Sequence, residues 1–379
     1  MSVLIIITSL LFFLSASGQV QAIYSPESVS NNKVGVHILF PEEIETAAKL
    51  VNNAGAGSWG YVTIPIQATD RNRERWQKFL DRAKELKVVP IIRIATVPQE
   101  ANWVKPDNFD LIDFANFLGD LEWPIANRYV IIFNEVNRSD EYGGFVKPED
   151  YADILANASD IFKRVSSDFF ILPAGLDNAA PNSNGFMHHR RYIERMYLHR
   201  PDIFDKIDGW TSHAYPNPDF SARPDKSGNN KIDSFRYDLR LIRQFTTKKL
   251  PVFITETGWS NRYLTDMQIA YYYKYAFEKV WCDAHVVAIT PFLLEAREGP
   301  FVQFSLIGSN GQPTESALAF SSFASMGTPT IPEIREIAST ALAATSSAVP
   351  EQKSQPSYQA PQLFFRLFNI FTSLFGTVR

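Results

Sequence analysis

Short apolar runs alternate along the chain with longer segments whose apolar residues recur at helical spacing. Eight such runs are Val34–Leu39, Tyr61–Ile66, Val88–Ile94, Tyr129–Phe133, Phe169–Ala174, Gly209–His213, Val252–Thr255 and Val286–Leu293. Several are near-continuous in β-branched and aromatic residues, as parallel strands covered on both faces require. Between them, Pro41 opens a helix at its first-turn position, followed by Glu42 and Glu43. Trp76, Phe79, Leu80, Ala83 and Leu86 mark the apolar stripe of the next. Pro148-Glu149-Asp150 begins a third, with Tyr151, Ile154, Leu155, Ala158, Ile161, Phe162 and Val165 at helical spacing. Thr265-x-x-Gln268 is a capping box ahead of Ile269, Ala270, Tyr273, Ala276, Phe277 and Val280. A last helix is expected from Pro313 toward Gly327.

Eight strands alternating with helices over about 290 residues predict an α/β fold, a single (β/α)8 TIM barrel. A doubly wound open sheet would want a Gly-rich phosphate loop after an early strand. Gly55-Ala56-Gly57 follows a helix instead and reads as a turn. The barrel is expected over residues 23–327. Residues 328–362, rich in Ala, Ser, Thr, Pro and Gln, read as a linker. In residues 363–379, Arg366, Asn369, Ser373 and Gly376 share one helical face, and Phe and Leu cover the rest. That segment suits an interfacial membrane helix, or docking on the barrel or a partner, equally well.

The N-terminus reads as an export signal, residues 1–22. Val3 to Leu14 is apolar and uncharged, and Val20-Gln21-Ala22 fits the small-x-small cleavage pattern. The expectation is a secreted protein, or one held at the cell surface. An uncleaved anchor is the alternative, for which the run is short.

A net charge of -4 gives no electrostatic case for nucleic acid. The single cysteine, Cys282, excludes an intrachain disulfide and a Cys-based metal cage; a buried small hydrophobe is its expected role. Aromatic residues reach 13%, which suits sugar-stacking platforms and a large barrel core alike.

Two carboxylates carry the chemistry. Glu135 ends the run Val130-Ile131-Ile132-Phe133-Asn134, and Glu256 ends Pro251-Val252-Phe253-Ile254-Thr255. Each sits where an apolar strand gives way to loop, a costly place for a charge that nothing uses. They close the fourth and seventh strands, so both open onto the same barrel face. Two carboxylates over one cavity split their roles: one protonates a leaving group, the other attacks or activates water. A gap of about 5–5.5 Å gives retention through a covalent glycosyl intermediate, and roughly 6.5–9.5 Å gives inversion.

Asn134-Glu135 on one strand end and Glu256 three strands later resembles clan A of the glycoside hydrolases, retaining barrel enzymes, over residues 33 to 326. The resemblance implies Glu135 as acid/base, Glu256 as nucleophile, and Asn134 as a partner of the sugar 2-hydroxyl. His213-x-Tyr215 closes the sixth strand as in the clan, which implies that Tyr215 supports Glu256 and that His213 faces the cleft. Many clan members carry an Arg on the second strand. Here that strand has none, and Arg93 on the third is the candidate substitute, or else a structural charge at the rim. Phe292 stands nearest the Trp that the clan often places on the eighth strand. Trp259 could stack on a sugar ring, and Trp59 and Trp103 could line outer subsites.

The expected activity is retaining hydrolysis of β-glycosidic bonds in a poly- or oligosaccharide, needing no cofactor and no metal. A non-catalytic carbohydrate-binding barrel and a transglycosylase are the alternatives. His188-His189-Arg190-Arg191 is expected to be a solvated helix face rather than a metal site. Asn137-Arg138-Ser139 and Asn157-Ala158-Ser159 match the glycosylation sequon.

Overall fold

The computed structural model describes residues 31–325, and Pro26 before them. The signal-like segment, the linker and the amphipathic segment 363–379 lie outside the described residues.

Eight parallel strands form the barrel: β1 Asn31–His37, β2 Trp59–Gln67, β3 Val88–Ala95, β4 Arg128–Ile132, β5 Phe169–Pro173, β6 Trp210–His213, β7 Val252–Glu256 and β8 Val286–Ile289. Hydrogen bonding runs in the order β5-β4-β3-β2-β1-β8-β7-β6. Side chains stitch the seam between β5 and β6. The Ile171 amide donates to Asp208 Oδ2 at 2.8 Å, and Thr211 Oγ1 donates to the Pro173 carbonyl at 2.6 Å. The fold is therefore a nearly closed (β/α)8 TIM barrel.

Helices cover the outside: α1 Ile44–Asn52, α2 Arg73–Glu85, α3 Asn108–Gly119, α4 Pro148–Val165, α5 His189–His199, α6 Ser234–Ile242, α7 Asp266–Lys279 and α8 Glu315–Ser321. Their starts follow local chemistry. Pro148 sits in the first turn of α4 with Glu149 and Asp150, and reciprocal Thr265–Gln268 bonds cap α7. Among the described residues no helix is long and apolar enough to cross a membrane.

The period-two alternation of the strands divides the core. Val34, Val36, Val62, Ile64, Ile92 and Ile254 face the helices, whereas Tyr61, Val89, Ile91, Tyr129, Ile131, Phe170, Leu172 and Phe253 fill the barrel. Gly35 makes room for that filling: a Cβ there would lie 2.8 Å from Cβ of Tyr61 and 2.6 Å from Cγ2 of Thr290.

Three expectations need correction, and one motif match lies buried. Strand β8 stops at Ile289 rather than Leu293, because the chain then turns across the mouth: Phe292 N–H donates to the Thr257 carbonyl and Leu294 N–H to that of His37. Cys282 is exposed, since its neighbour Trp281 takes the inward position. His189 is not solvated. It is 2% exposed and paired through Nδ1 with Asp238 at 2.8 Å, while His188 caps α5. Asn137 is fully buried, its Nδ2 donating to the Asp177 and Met187 carbonyls, so this sequon offers no acceptor in the folded chain.

Candidate active site

The barrel interior turns polar at the last inward position of several strands. Continuing the alternation past Ile91 places Arg93 there, and the same count places His37, Thr63 and His213. In β4 the backbone breaks the count. Phe133 has φ +70° and Glu135 φ +33°, both in the left-handed region, which costs on the order of 1–3 kcal/mol each. The turn carries Glu135 over the barrel mouth. Its amide donates to the Gly175 carbonyl at 2.9 Å.

Glu256 closes β7 and is held from two sides. Arg93 Nη1 donates to Oε1 at 2.6 Å, and the Tyr215 hydroxyl donates to Oε2 at 3.1 Å. The same Arg93 Nη1 lies 2.7 Å from Oδ1 of Asn134, which fixes the carboxamide and turns its Nδ2 donor away from Arg93. His213 bridges the two acids. Its Nδ1 shares a 2.9 Å hydrogen bond with Glu135 Oε1 and stands 3.7 Å from Glu256 Oε2. One oxygen of each carboxylate and a ring nitrogen of His213 all lie within 4.8 Å of one another.

The surroundings push the two carboxyls in opposite directions. Burial raises the Glu135 pKa, and its bond to His213 only partly offsets this. Burial also opposes charge on Glu256, but His213, Arg93 and His37 outweigh it and hold that carboxyl down at about 2. His213 is disfavoured by burial yet raised overall by Glu256 and Glu135. His37 has its Nε2 3.9 Å from Glu256 Oε1, and burial and Arg93 push it down to about 3.

Glu135, His213 and Glu256 could also be weighed as ligands of a cation. Arg93 and Tyr215 already occupy both oxygens of Glu256, so a divalent ion would have to displace a hydroxyl and sit against a buried guanidinium. The donor set fits a metal poorly.

Six residues singled out in the sequence thus converge: Glu135, Glu256, Asn134, His213, Tyr215 and Arg93. Phe292 flanks them, its ring edge-on to His37 at 5.1 Å within an aromatic wall that includes Tyr215 and Phe304. Half-buried Phe40, Phe220 and Phe301 pack on that wall. Trp103 lies in the loop after β3, its amide bonded to the Asp140 carbonyl.

Trp259 does not line the cleft, contrary to expectation. It is 2% exposed, donates through Nε1 to the Ala222 carbonyl and packs on Tyr273 and Trp281. Helix α7 covers the face a sugar would need. Trp59 begins β2, at the end of the barrel away from the carboxylates, and packs on the interior filling.

Sequence reasoning missed His37, Arg138, Asp177 and Gly175. His37 had a signal, a polar residue at an inward position of an apolar strand. Arg138 follows Glu135 by three residues and its side chain is only 5% exposed, with Nη1 3.6 Å from Glu135 Oε2. Gly175 leaves the space that His213 fills: a Cβ there would lie 2.2 Å from Cδ2 and 2.3 Å from Nε2 of that ring.

The amino-acid sequence matches no protein-family model and no curated protein. Solved structures do match. A family 39 glycoside hydrolase from the gut symbiont Bacteroides cellulosilyticus WH2 aligns at TM-score 0.56 and 16% identity, over 80% of this chain and 65% of that one. A GH128 (subgroup II) endo-beta-1,3-glucanase from Pseudomonas viridiflava aligns at 0.50 and 15% identity, over 77% and 98%. A GH5_18 variant from Streptomyces cattleya, in complex with Manβ1-4GlcNAc, aligns at 0.54 and 14% identity, over 77% and 80%. The chain shares the (β/α)8 fold of these glycoside hydrolases. It spans about two thirds of the Bacteroides protein, and at these identities the likeness establishes the fold alone.

Proposed function

We propose that the protein is a retaining glycoside hydrolase acting on β-glycosidic bonds of a poly- or oligosaccharide. The observation that carries this reading is the pair of carboxyls, Glu135 and Glu256, with oxygens within 4.8 Å and opposite pKa perturbations. An approach this close by one oxygen of each carboxyl supports direct attack, because inversion needs room for a water between the two groups.

In the first step a Glu256 oxygen attacks the anomeric carbon. The glycosidic C–O bond breaks, and the Glu135 proton passes to the departing oxygen. The product is a glycosyl ester on Glu256. In the second step Glu135, now ionised, takes a proton from water. The water oxygen attacks the anomeric carbon, the ester bond breaks, and Glu256 leaves as carboxylate. Arg93 and Tyr215 stabilise that leaving carboxylate, and Asn134 Nδ2 is the donor available to the 2-hydroxyl, whose contact strengthens in the transition state. The aromatic wall of Phe292 and its neighbours offers an apolar face to the sugar.

An endo-beta-1,3-glucanase and a GH5_18 variant holding Manβ1-4GlcNAc among the neighbours support a β-linked substrate class; a family 51 alpha-L-arabinofuranosidase aligns as well, so the neighbours do not choose the sugar. Export to the cell exterior is part of the proposal, supported by the apolar run Val3–Leu14 and Val20-Gln21-Ala22. Transfer to a sugar acceptor instead of water would use the same residues.

The test is a screen of aryl β-glycosides and β-linked polysaccharides, followed by Glu256→Ala on whichever substrate is cleaved. Loss of hydrolysis, with azide taking the place of the missing carboxylate and restoring turnover as an α-glycosyl azide by a single inversion, is the expected result. Undiminished hydrolysis in Glu256→Ala overturns the nucleophile. Binding by the wild type without turnover favours a carbohydrate-binding barrel.

A further inference from the structure

We propose that Arg138 is a positioning residue for Glu135: clamped by Asp140 and Asp177, its guanidinium holds the Oε2 side of that carboxyl while His213 holds Oε1. The inference rests on reading Glu135 as the acid/base.

Arg138 is 4% exposed, so its charge needs partners. Asp140 supplies a two-pronged one, to Nη2 at 2.7 Å and Nε at 3.1 Å. The remaining edge is shared. Nη1 stands 3.5 Å from Asp177 Oδ2 and 3.6 Å from Glu135 Oε2. Asp177 is itself fixed by other bonds. Its Oδ1 accepts from the Ala179 amide at 2.8 Å, and its own amide donates to Asn137 Oδ1 at 2.9 Å. The loops after β4 and β5 are thereby tied together around one buried cation.

The long contact to Glu135 has a chemical consequence. A charge-assisted bond of 2.7–2.9 Å would lock the carboxyl in its ionised form. At 3.6 Å the guanidinium orients the group and offsets its burial, yet leaves it free to take and give a proton. Asp177 pulls the other way, because its negative charge disfavours a second one on Glu135. His213 on β6 also faces Glu135 and favours its charge, and Glu256 on β7 lies across the cleft. Glu141, next to Asp140, belongs to the same field: burial, Asp140 and Glu135 push it up to about 8, against Arg138 and Arg93.

The test uses two neutralising substitutions that remove charges of opposite sign. Glutamate is labelled with carbon-13 at the side-chain carboxyl, and the Glu135 signal is assigned by its loss in Glu135→Gln. In Arg138→Gln the Glu135 midpoint should rise, and in Asp177→Asn it should fall, each by about half a pH unit or more. The alkaline limb of kcat/KM should follow both shifts. Arg138→Lys, which keeps charge but loses the fork, should keep the midpoint near wild type and lower kcat. Shifts in the same direction, or none, overturn the proposal. If Arg138→Gln does not fold, an unmoved midpoint in Asp177→Asn overturns it alone. Should no glycoside be cleaved, the acid/base reading fails, while the titration still decides whether Arg138 and Asp177 govern Glu135.

Discussion

Arg93 Nη1 lies 2.6 Å from Glu256 Oε1, on a strand that is not β7's neighbour in the barrel. The contact crosses the barrel mouth and brings a permanent positive charge to a buried carboxylate. It also uses one guanidinium nitrogen to orient Asn134 and Glu256 together. A permanent charge on the third strand thus reaches Glu256, the proposed nucleophile, across the mouth.

Removing that charge should change the acidic side of the activity profile. As the proposed nucleophile Glu256 must be ionised to attack, and Arg93 helps hold it down at about 2. In Arg93→Met the Glu256 pKa rises, so the acidic limb of kcat/KM moves to higher pH, by about one unit or more. At neutral pH kcat/KM should fall about 10²-fold, as lost transition-state stabilisation. A pH–rate series on the cleaved glycoside measures both. An unmoved acidic limb would mean that Arg93 only supports the rim.

Gly175→Ala tests whether the His213 ring needs the space beside β5. The added Cβ would fall 2.2 Å from the ring, which is buried and tethered to Glu135. The ring must shift, stretching the 2.9 Å bond that helps hold Glu135, the proposed acid/base. A loss of about 1–3 kcal/mol in stability is expected, with kcat reduced about 10²-fold. Urea unfolding and steady-state kinetics check the pair. Wild-type kinetics in a folded Gly175→Ala protein would remove His213 from the positioning of Glu135.

Trp259 should behave as core. Trp259→Ala should cost about 3–5 kcal/mol through the cavity it leaves. Trp259→Phe should lower stability less and leave KM for a soluble glycoside within about twofold, since no sugar reaches the ring. Denaturant midpoints and KM values separate the two roles. A large rise in KM with unchanged stability would restore Trp259 as a platform.

The sequence by itself determined the alternation of strands and helices, though not every strand end: β8 stops at Ile289 because the chain turns across the mouth. Buried parallel strands must be apolar on both faces, so eight such runs separated by helical stripes left little choice of architecture. A carboxylate ending such a run is conspicuous, which is why Glu135 and Glu256 were legible before any coordinates. The arrangement around them was decided only in three dimensions. Arg138 comes from the loop after β4, Asp177 and Gly175 from the loop after β5, and each is ordinary in its local context. They matter because the barrel brings the ends of β4, β5 and β6 together over one mouth. The exposure of an aromatic ring is equally nonlocal. Trp259 follows Glu256 closely in sequence, yet α7 packs over it. Cys282 and His189 exchanged their expected environments because a neighbouring side chain took the inward direction in one case and Asp238 supplied a buried partner in the other. Periodicity and local residue chemistry are properties of the chain; charge partners and steric room belong to segments that meet only when it folds.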